Sequence, residues 1–193
     1  GAPASVEQST RALGVTVLTA LVALAGQEAV AAYGIGSRLL SLVFLPALGL
    51  ARGTETVVGQ NLGADQIDRA KRAVLASGGI VAAVLAGISV GAYVFAEPIV
   101  DVFITGEGSA AVVAVGADYL RIVGPTFAFL GVFRVVQGGF RGSGSTRLAM
   151  AFSVISLFVF RVPVAYGLIE WFGFGASGAW YAIAISNVVI LVA

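Results

Sequence analysis

Residues 69–95 read RAKRAVLASGGIVAAVLAGISVGAYVF. Three basic side chains, Arg69, Lys71 and Arg72, crowd the first turn, and from Ala73 to Phe95 there is no charged side chain. A helix rises about 1.5 Å per residue, so roughly 20 such residues cross the ~30 Å of hydrocarbon in a bilayer. Past Phe95 charge returns as acid, at Glu97 and Asp101. A helix-length apolar run, basic at one end and acidic at the other, is a membrane span with a preferred orientation.

The rest of the chain is built alike. Of 193 residues, 59% are apolar and 11% charged, and the mean hydropathy is +0.99. An ordinary soluble domain carries about 25% charge, and a water-soluble protein of this length has no interior large enough to hide so much apolar side chain. The 26 glycines are spread along the chain, as suits helices packed closely in lipid. Cysteine and histidine are both absent, which removes disulfides, thiolate nucleophiles, Cys/His zinc sites and imidazole acid–base chemistry. No Gly-rich phosphate loop, nucleophile motif or nucleic-acid patch occurs. No catalytic, cofactor-binding or metal-ligating residues are therefore assigned, and nucleic acid is not expected as a partner.

Working outward from residues 69–95, the apolar runs predict helices at about 3–25, 29–58, 69–95, 110–140, 148–169 and 178–193, one bundle of six transmembrane helices. Pro46 is expected to kink the second, while Pro125 and Pro163 fall inside the fourth and fifth. Asp65 is expected to cap the third helix, and residues 99–104 to lie on the membrane surface. Loops after the second and fourth helices carry Arg69, Lys71, Arg72, Arg141 and Arg147. Those after the first, third and fifth carry Glu28, Glu97, Asp101, Glu107 and Glu170, with no Lys or Arg. Basic residues resist translocation, so this alternation predicts that both ends of the segment are cytoplasmic, in a multi-pass protein of the plasma (inner) membrane. The chain starts at Gly1 rather than Met and stops at Ala193 inside an apolar run, with the last helix cut short, so it is expected to be a piece of a longer polypeptide.

Four stretches carry a family resemblance. The opening Gly1-Ala2-Pro3-Ala4-Ser5-Val6-Glu7-Gln8 resembles the start of the seventh helix of the multidrug and toxic compound extrusion (MATE) transporters. Ala31 to Gly36, and then Val58-Gly59-Gln60-Asn61-Leu62-Gly63-Ala64, are similar to the eighth helix and its following loop, and this last run is the most specific. Gly138-Gly139-Phe140-Arg141-Gly142-Ser143-Gly144-Ser145-Thr146 resembles the turn after helix ten, with Ser145 where the family often has Asp. Arg161-Val162-Pro163-Val164-Ala165-Tyr166, with Gly178-Ala179-Trp180, is similar to helices eleven and twelve.

The resemblance implies an all-α membrane fold, the C-terminal lobe of a two-lobe (6+6) transporter whose partner is the N-terminal lobe of the same polypeptide. It also implies export of small cationic or amphipathic compounds by alternating access, in exchange for Na+ or H+. Some relatives carry coupling acids on helices seven and ten, but residues 130–137 hold none, and the helix-seven position falls nearer Arg11 than Glu7. The coupling ion's site is left unassigned.

Ionisable groups at membrane depth are costly unless paired or watered, so each is a candidate for the transport path. Glu7 and Arg11 are four apart and can pair, as can Arg52 and Glu55, three apart. Arg38, Asp118, Arg121 and Arg161 share the outer halves of their helices, as one ionic cluster or as snorkelling side chains. Arg134, Gln137 and Arg141 share a helix face, with Gly131 and Gly138 on a neighbouring one. Arg134 lies about 10 Å deeper than Arg141 and needs a carboxylate or a watery cavity, with Glu7 the favoured partner. The transport path is thus expected at Glu7, Arg134 and Gln137, and the family motif at Pro3, Gly59, Gln60, Asn61, Gly63, Arg141, Gly142 and Pro163. A flippase for lipid-linked oligosaccharides is the nearest alternative function. A membrane prenyltransferase is a distant one, since Asp65 and Asp68 stand as a single acidic motif among basic neighbours.

Overall fold

A computed structural model describes residues 2–103 and 109–192, and among these the chain is helical with no strand. The elements are α1 (Ala2–Leu24), α2 (Gln27–Gly63), α3 (Ile67–Val94), α4 (Ala96–Asp101), α5 (Ser109–Val123), α6 (Phe127–Gly142), α7 (Thr146–Val154), α8 (Val162–Tyr166) and α9 (Gly175–Val192). Four helical stretches, Gln27–Gly63, Ile67–Val94, Ala110–Gly142 and Thr146–Trp171, are long and apolar enough to cross a bilayer. Two shorter apolar helices are Ala12–Leu24 and Gly175–Leu191.

The opening segment shows how sequence sets orientation in the bundle. Val81, Leu85, Ser89 and Ala92 of α3 are buried, at the spacing of one helix face. Leu75, Ile80, Val84, Val90 and Val94 are exposed, Leu75 by 75%. In water such a face would be an aggregation site. In a membrane it is the lipid contact, and the helix satisfies its own backbone groups there.

Close approach in the core is set by glycine on α6. A Cβ at Gly138 would strike the carbonyl oxygen of Ala51, and one at Gly142 that of Glu55, so one face of α6 lies against the backbone of α2 at two positions a turn apart. Elsewhere on α6 a Cβ at Gly131 would strike the Leu85 side chain of α3, and at Gly139 it would come within 3.0 Å of Val74. Without a hydrophobic force between helices in lipid, this spacing of small residues is what holds them together. The turn from α1 to α2 needs Gly26, whose φ of +107° is closed to most L-residues.

Prolines act differently from one another. α2 continues unbroken through Pro46. At Pro125 the chain tightens into a 3₁₀ turn, Gly124–Thr126, that joins α5 to α6. Around Pro163 the helix widens into π-helical segments, Ile155–Arg161 and Gly167–Trp171, on either side of α8. One local expectation is corrected. Asp65 does not cap α3: it takes φ +57°, a left-handed conformation Asp tolerates, and Gln66 begins α3 with no side-chain cap. Residues 96–101 form α4, docked on α5 through Val100, which sits 2.8 Å from where a Cβ on Gly116 would be. Residues 104–108 lie outside the described residues.

Candidate functional site

A cavity of about 450 Å³ opens between α1, α2, α6 and the segment 153–161. Its wall mixes Tyr33, Phe44, Leu130, Phe133 and Leu157 with Ser37, Ser41, Ser153 and Ser156 and with three arginines, Arg38, Arg134 and Arg161. No Asp or Glu lines it among the described residues.

Arg161 is positioned from behind. Its Nε donates to Ser186 Oγ at 2.7 Å and its Nη2 to Asn187 Oδ1 at 2.6 Å. Asn187 and Ser186 are buried on α9. Asn187 Nδ2 in turn donates to Thr126 Oγ1 at 3.0 Å, and the Thr126 and Ser186 hydroxyls donate to the carbonyls of Val123 and Ile183. The 3₁₀ turn at Pro125, the π-helical segment and α9 therefore meet at one chain of neutral hydrogen bonds ending on a guanidinium. π-helical stretches are rare and frequently mark functional sites. Nearby, Trp180 of α9 stacks on Tyr33 (centroids 6.0 Å) and takes Tyr119 edge-on (4.9 Å), with its buried Nε1 unbonded among the described residues.

Arg134 is half-buried at the cavity, as its depth required. Gln137, one turn on, is 1% exposed and its Nε2 donates at 2.7 Å to the hydroxyl of Ser153, itself a lining residue, joining α6 to α7. Phe140 stacks on Phe152 at 5.9 Å, a second contact between the same two helices. Glu7 and Pro3 fall on α1, but their side chains, like that of Arg11, lie outside the described residues, and so does any pairing of Glu7.

The motif residues have structural placements. A Cβ on Gly59 would come within 3.4 Å of the Gly142 carbonyl oxygen, extending the close α2–α6 seam. Gln60 and Asn61 terminate α2, with Asn61 Nδ2 donating to the Val57 carbonyl and the Asn61 carbonyl accepting from Gln66 N at 2.8 Å. Gly63 is exposed at that end. Arg141 is half-buried near the end of α6, and Pro163 opens α8 from an exposed position.

Arg38, Asp118, Arg121 and Arg161 do not form one cluster. Arg121 pairs instead with Glu97 of α4 at 2.8 Å, Asp118 is exposed, Arg38 faces the cavity and Arg161 reaches α9. The helices carry these residues to different neighbours, which depth alone cannot register. Among the described residues Arg52 and Glu55 make no ion pair, Arg52 being exposed. Thr126, Ser153, Ser186 and Asn187 escaped sequence reasoning, because single hydroxyls and amides in apolar helices look like ordinary small residues. Asn187, an amide amid the apolar run of α9, was the one available signal.

The MatE family model matches residues 3–167. A relative from Thermotoga maritima, "Probable multidrug resistance protein NorM", is 29% identical over 182 residues, covering 93% of this chain and 38% of its own length. "Probable multidrug resistance protein YpnP" from Bacillus subtilis is 28% identical over 173 residues, covering 90% of this chain and 38% of its own. Among solved structures, a MATE crystallised in complex with MaL6 superposes with a TM-score of 0.95 at 22% identity, over 100% of this chain and 43% of that one. The outward-facing conformation of a multidrug resistance MATE family transporter of the MOP superfamily gives 0.92 at 23%, over 100% and 43%. At that identity the likeness speaks for the fold, and the chain spans well under half the length of these relatives.

Proposed function

Since the chain belongs to the MatE family, whose members are transporters rather than enzymes, we propose that it forms the C-terminal six-helix lobe of a secondary antiporter. On this proposal the whole protein exports small cationic or amphipathic compounds by alternating access, in exchange for Na+ or H+. Its N-terminal lobe supplies the other wall of the path. The observation that carries the reading is the cavity: polar, arginine-bearing space inside a bundle whose outer faces are apolar. A bundle needing only to be stable in lipid has no use for such space, since buried charge there is costly.

The test is gradient-driven efflux of an amphipathic dye from proteoliposomes containing the full-length transporter. Efflux that depends on an imposed Na+ or H+ gradient supports the proposal, and efflux indifferent to both gradients sinks it. We place the protein in the plasma (inner) membrane with the basic loops cytoplasmic. Cysteines introduced at Ser143 and at Gly173, in turns at opposite ends of the 146–171 helix, then label from opposite sides, Ser143 from within. A flippase for lipid-linked oligosaccharides is the second reading, favoured by the three guanidinium groups at the cavity. Translocation of a lipid-linked sugar without dye efflux would select it.

A further inference from the structure

We propose that this cavity contains a subsite for the carboxylate, or a similar small oxyanion, of an amphipathic organic substrate, with Arg161 and Arg38 as its donors. The inference rests on the export function above and narrows it, from cationic compounds to compounds that also carry an anionic group.

Charge is the first ground. Arg38, Arg134 and Arg161 line the space, and no carboxylate among the described residues does. Even one carboxylate from α1, where Glu7 precedes the lining residue Thr10 by three positions, leaves two positive charges in excess. An excess of that size in a low-dielectric enclosure repels a cation and is relieved by an anion.

Pre-organisation is the second. Ser186 and Asn187 take two of the five N–H donors of Arg161 and leave three. Both partners are neutral, so they fix the plane of the group without neutralising it. A guanidinium held in one plane matches a carboxylate in the two-pronged geometry that favours Arg over Lys. Arg38, on the α2 wall, is exposed and makes no hydrogen bond or ion pair among the described residues. The hydroxyls of Ser37 and Ser41 already donate to the Gly34 and Ser37 carbonyls, which leaves anion recognition to the arginines. Around them Tyr33, Phe44, Leu130, Phe133 and Leu157 supply an apolar wall for the remainder of the molecule. An organic ion with an apolar body fits that combination.

The experiment measures binding of a carboxyrhodamine dye and of its methyl ester to the full-length transporter in detergent, by fluorescence polarisation without any gradient. The two dyes differ only in whether the carboxylate is free. Charge-assisted hydrogen bonds being the stronger kind, the free acid should bind about tenfold more tightly than the ester. Arg38→Gln and Arg161→Gln should each lower that ratio toward one by weakening the free acid relative to the ester, and Arg161→Lys should keep part of it. Equal binding of the two dyes by the unaltered protein overturns the subsite. So do variants that weaken both dyes alike, the result if acids of the other lobe already neutralise these arginines. Should Arg161→Gln not fold, Arg38→Gln, at an exposed position without partners, still decides. Efflux of the ester from proteoliposomes is read in parallel. Ester efflux without a carboxylate preference removes the subsite and spares the transporter, whereas the preference without efflux does the reverse.

Discussion

The two sides of this lobe are put together differently. Where α6 meets α2, glycine brings backbone to backbone, Gly138 on Ala51 and Gly142 on Glu55, and where it meets α3, Gly131 makes room for the Leu85 side chain. On the other side α1, the 146–171 helix and α9 also use glycine, Gly14 against Leu157 and Gly178 against the Leu168 backbone, but they border a cavity, widen into π-helical backbone and add hydrogen bonds such as Gln137 to Ser153 and Arg161 to Asn187. Dispersion between close backbones falls off within a fraction of an ångström, so the first seam tolerates no displacement. Hydrogen bonds between side chains can be exchanged for water, so displacing the second costs less than displacing the first. The contrast separates a close-packed frame from a cavity-bearing face, which on the proposed function is the working face.

The sharpest way to break that contrast is to add volume to the frame. A side chain at Gly138 meets the carbonyl oxygen of Ala51, and backbone cannot rotate away. Gly138→Val should remove most of the monodisperse protein recovered from membranes, an overpacking cost of at least about 1–3 kcal/mol. Gly87→Ala, on α3 with nothing within 4 Å of the new Cβ, is the control. It should hold or raise Tm, since Ala is the better helix former by up to about 1 kcal/mol. If the two variants behave alike, glycine is not what closes the frame.

Effects on the working face should be smaller and graded. Asn187→Leu takes an acceptor from Arg161 and a donor from Thr126 together. Leaving a buried charged donor short of its partner costs about 1–3 kcal/mol, read as a lower Tm in a protein that still folds. Ser153→Ala removes one neutral acceptor, that of Gln137 Nε2. Its expected cost is about 1 kcal/mol. A drop for Ser153→Ala matching that for Asn187→Leu would mean the guanidinium at the end of the chain adds nothing.

The frame was far more legible in the sequence than the working face. Helices of this length reveal themselves through composition, and residues 69–95 carry their own orientation in the charges at either end. Gly131 and Gly138 could be placed together on one helix face, beside that of Arg134, from periodicity alone, as befits a seam set by helix geometry. Arg134 could be placed at depth by counting turns, and it lies at the cavity. The pairing of Gln137 with Ser153 and of Arg161 with Ser186 and Asn187 joins residues on different helices, 16, 25 and 26 positions apart. Periodicity within one helix holds no information about its neighbour's rotation. The π-helical segments shift that rotation further, so a face drawn at 100° per residue goes astray where the backbone widens.

The smallest effect should come from an ion pair that lies on neither face. Arg121 Nη2 and Glu97 Oε1 are 2.8 Å apart, but the side chains are 41% and 61% exposed. Exposed pairs contribute about 0–1 kcal/mol and are screened by salt. Glu97→Gln should therefore shift Tm little at physiological ionic strength and less at high salt. α4, which carries Glu97, is held to α5 in another way: Val100 is buried, and its Cγ1 stands 2.8 Å from the site of a Cβ on Gly116. Gly116→Ala forces Val100 aside and should cost more than Glu97→Gln. The opposite order, with the charge change the larger and salt-sensitive, would mean that α4 is docked by the ion pair. The apolar close packing of α2, α3 and α6 would then not extend to this helix.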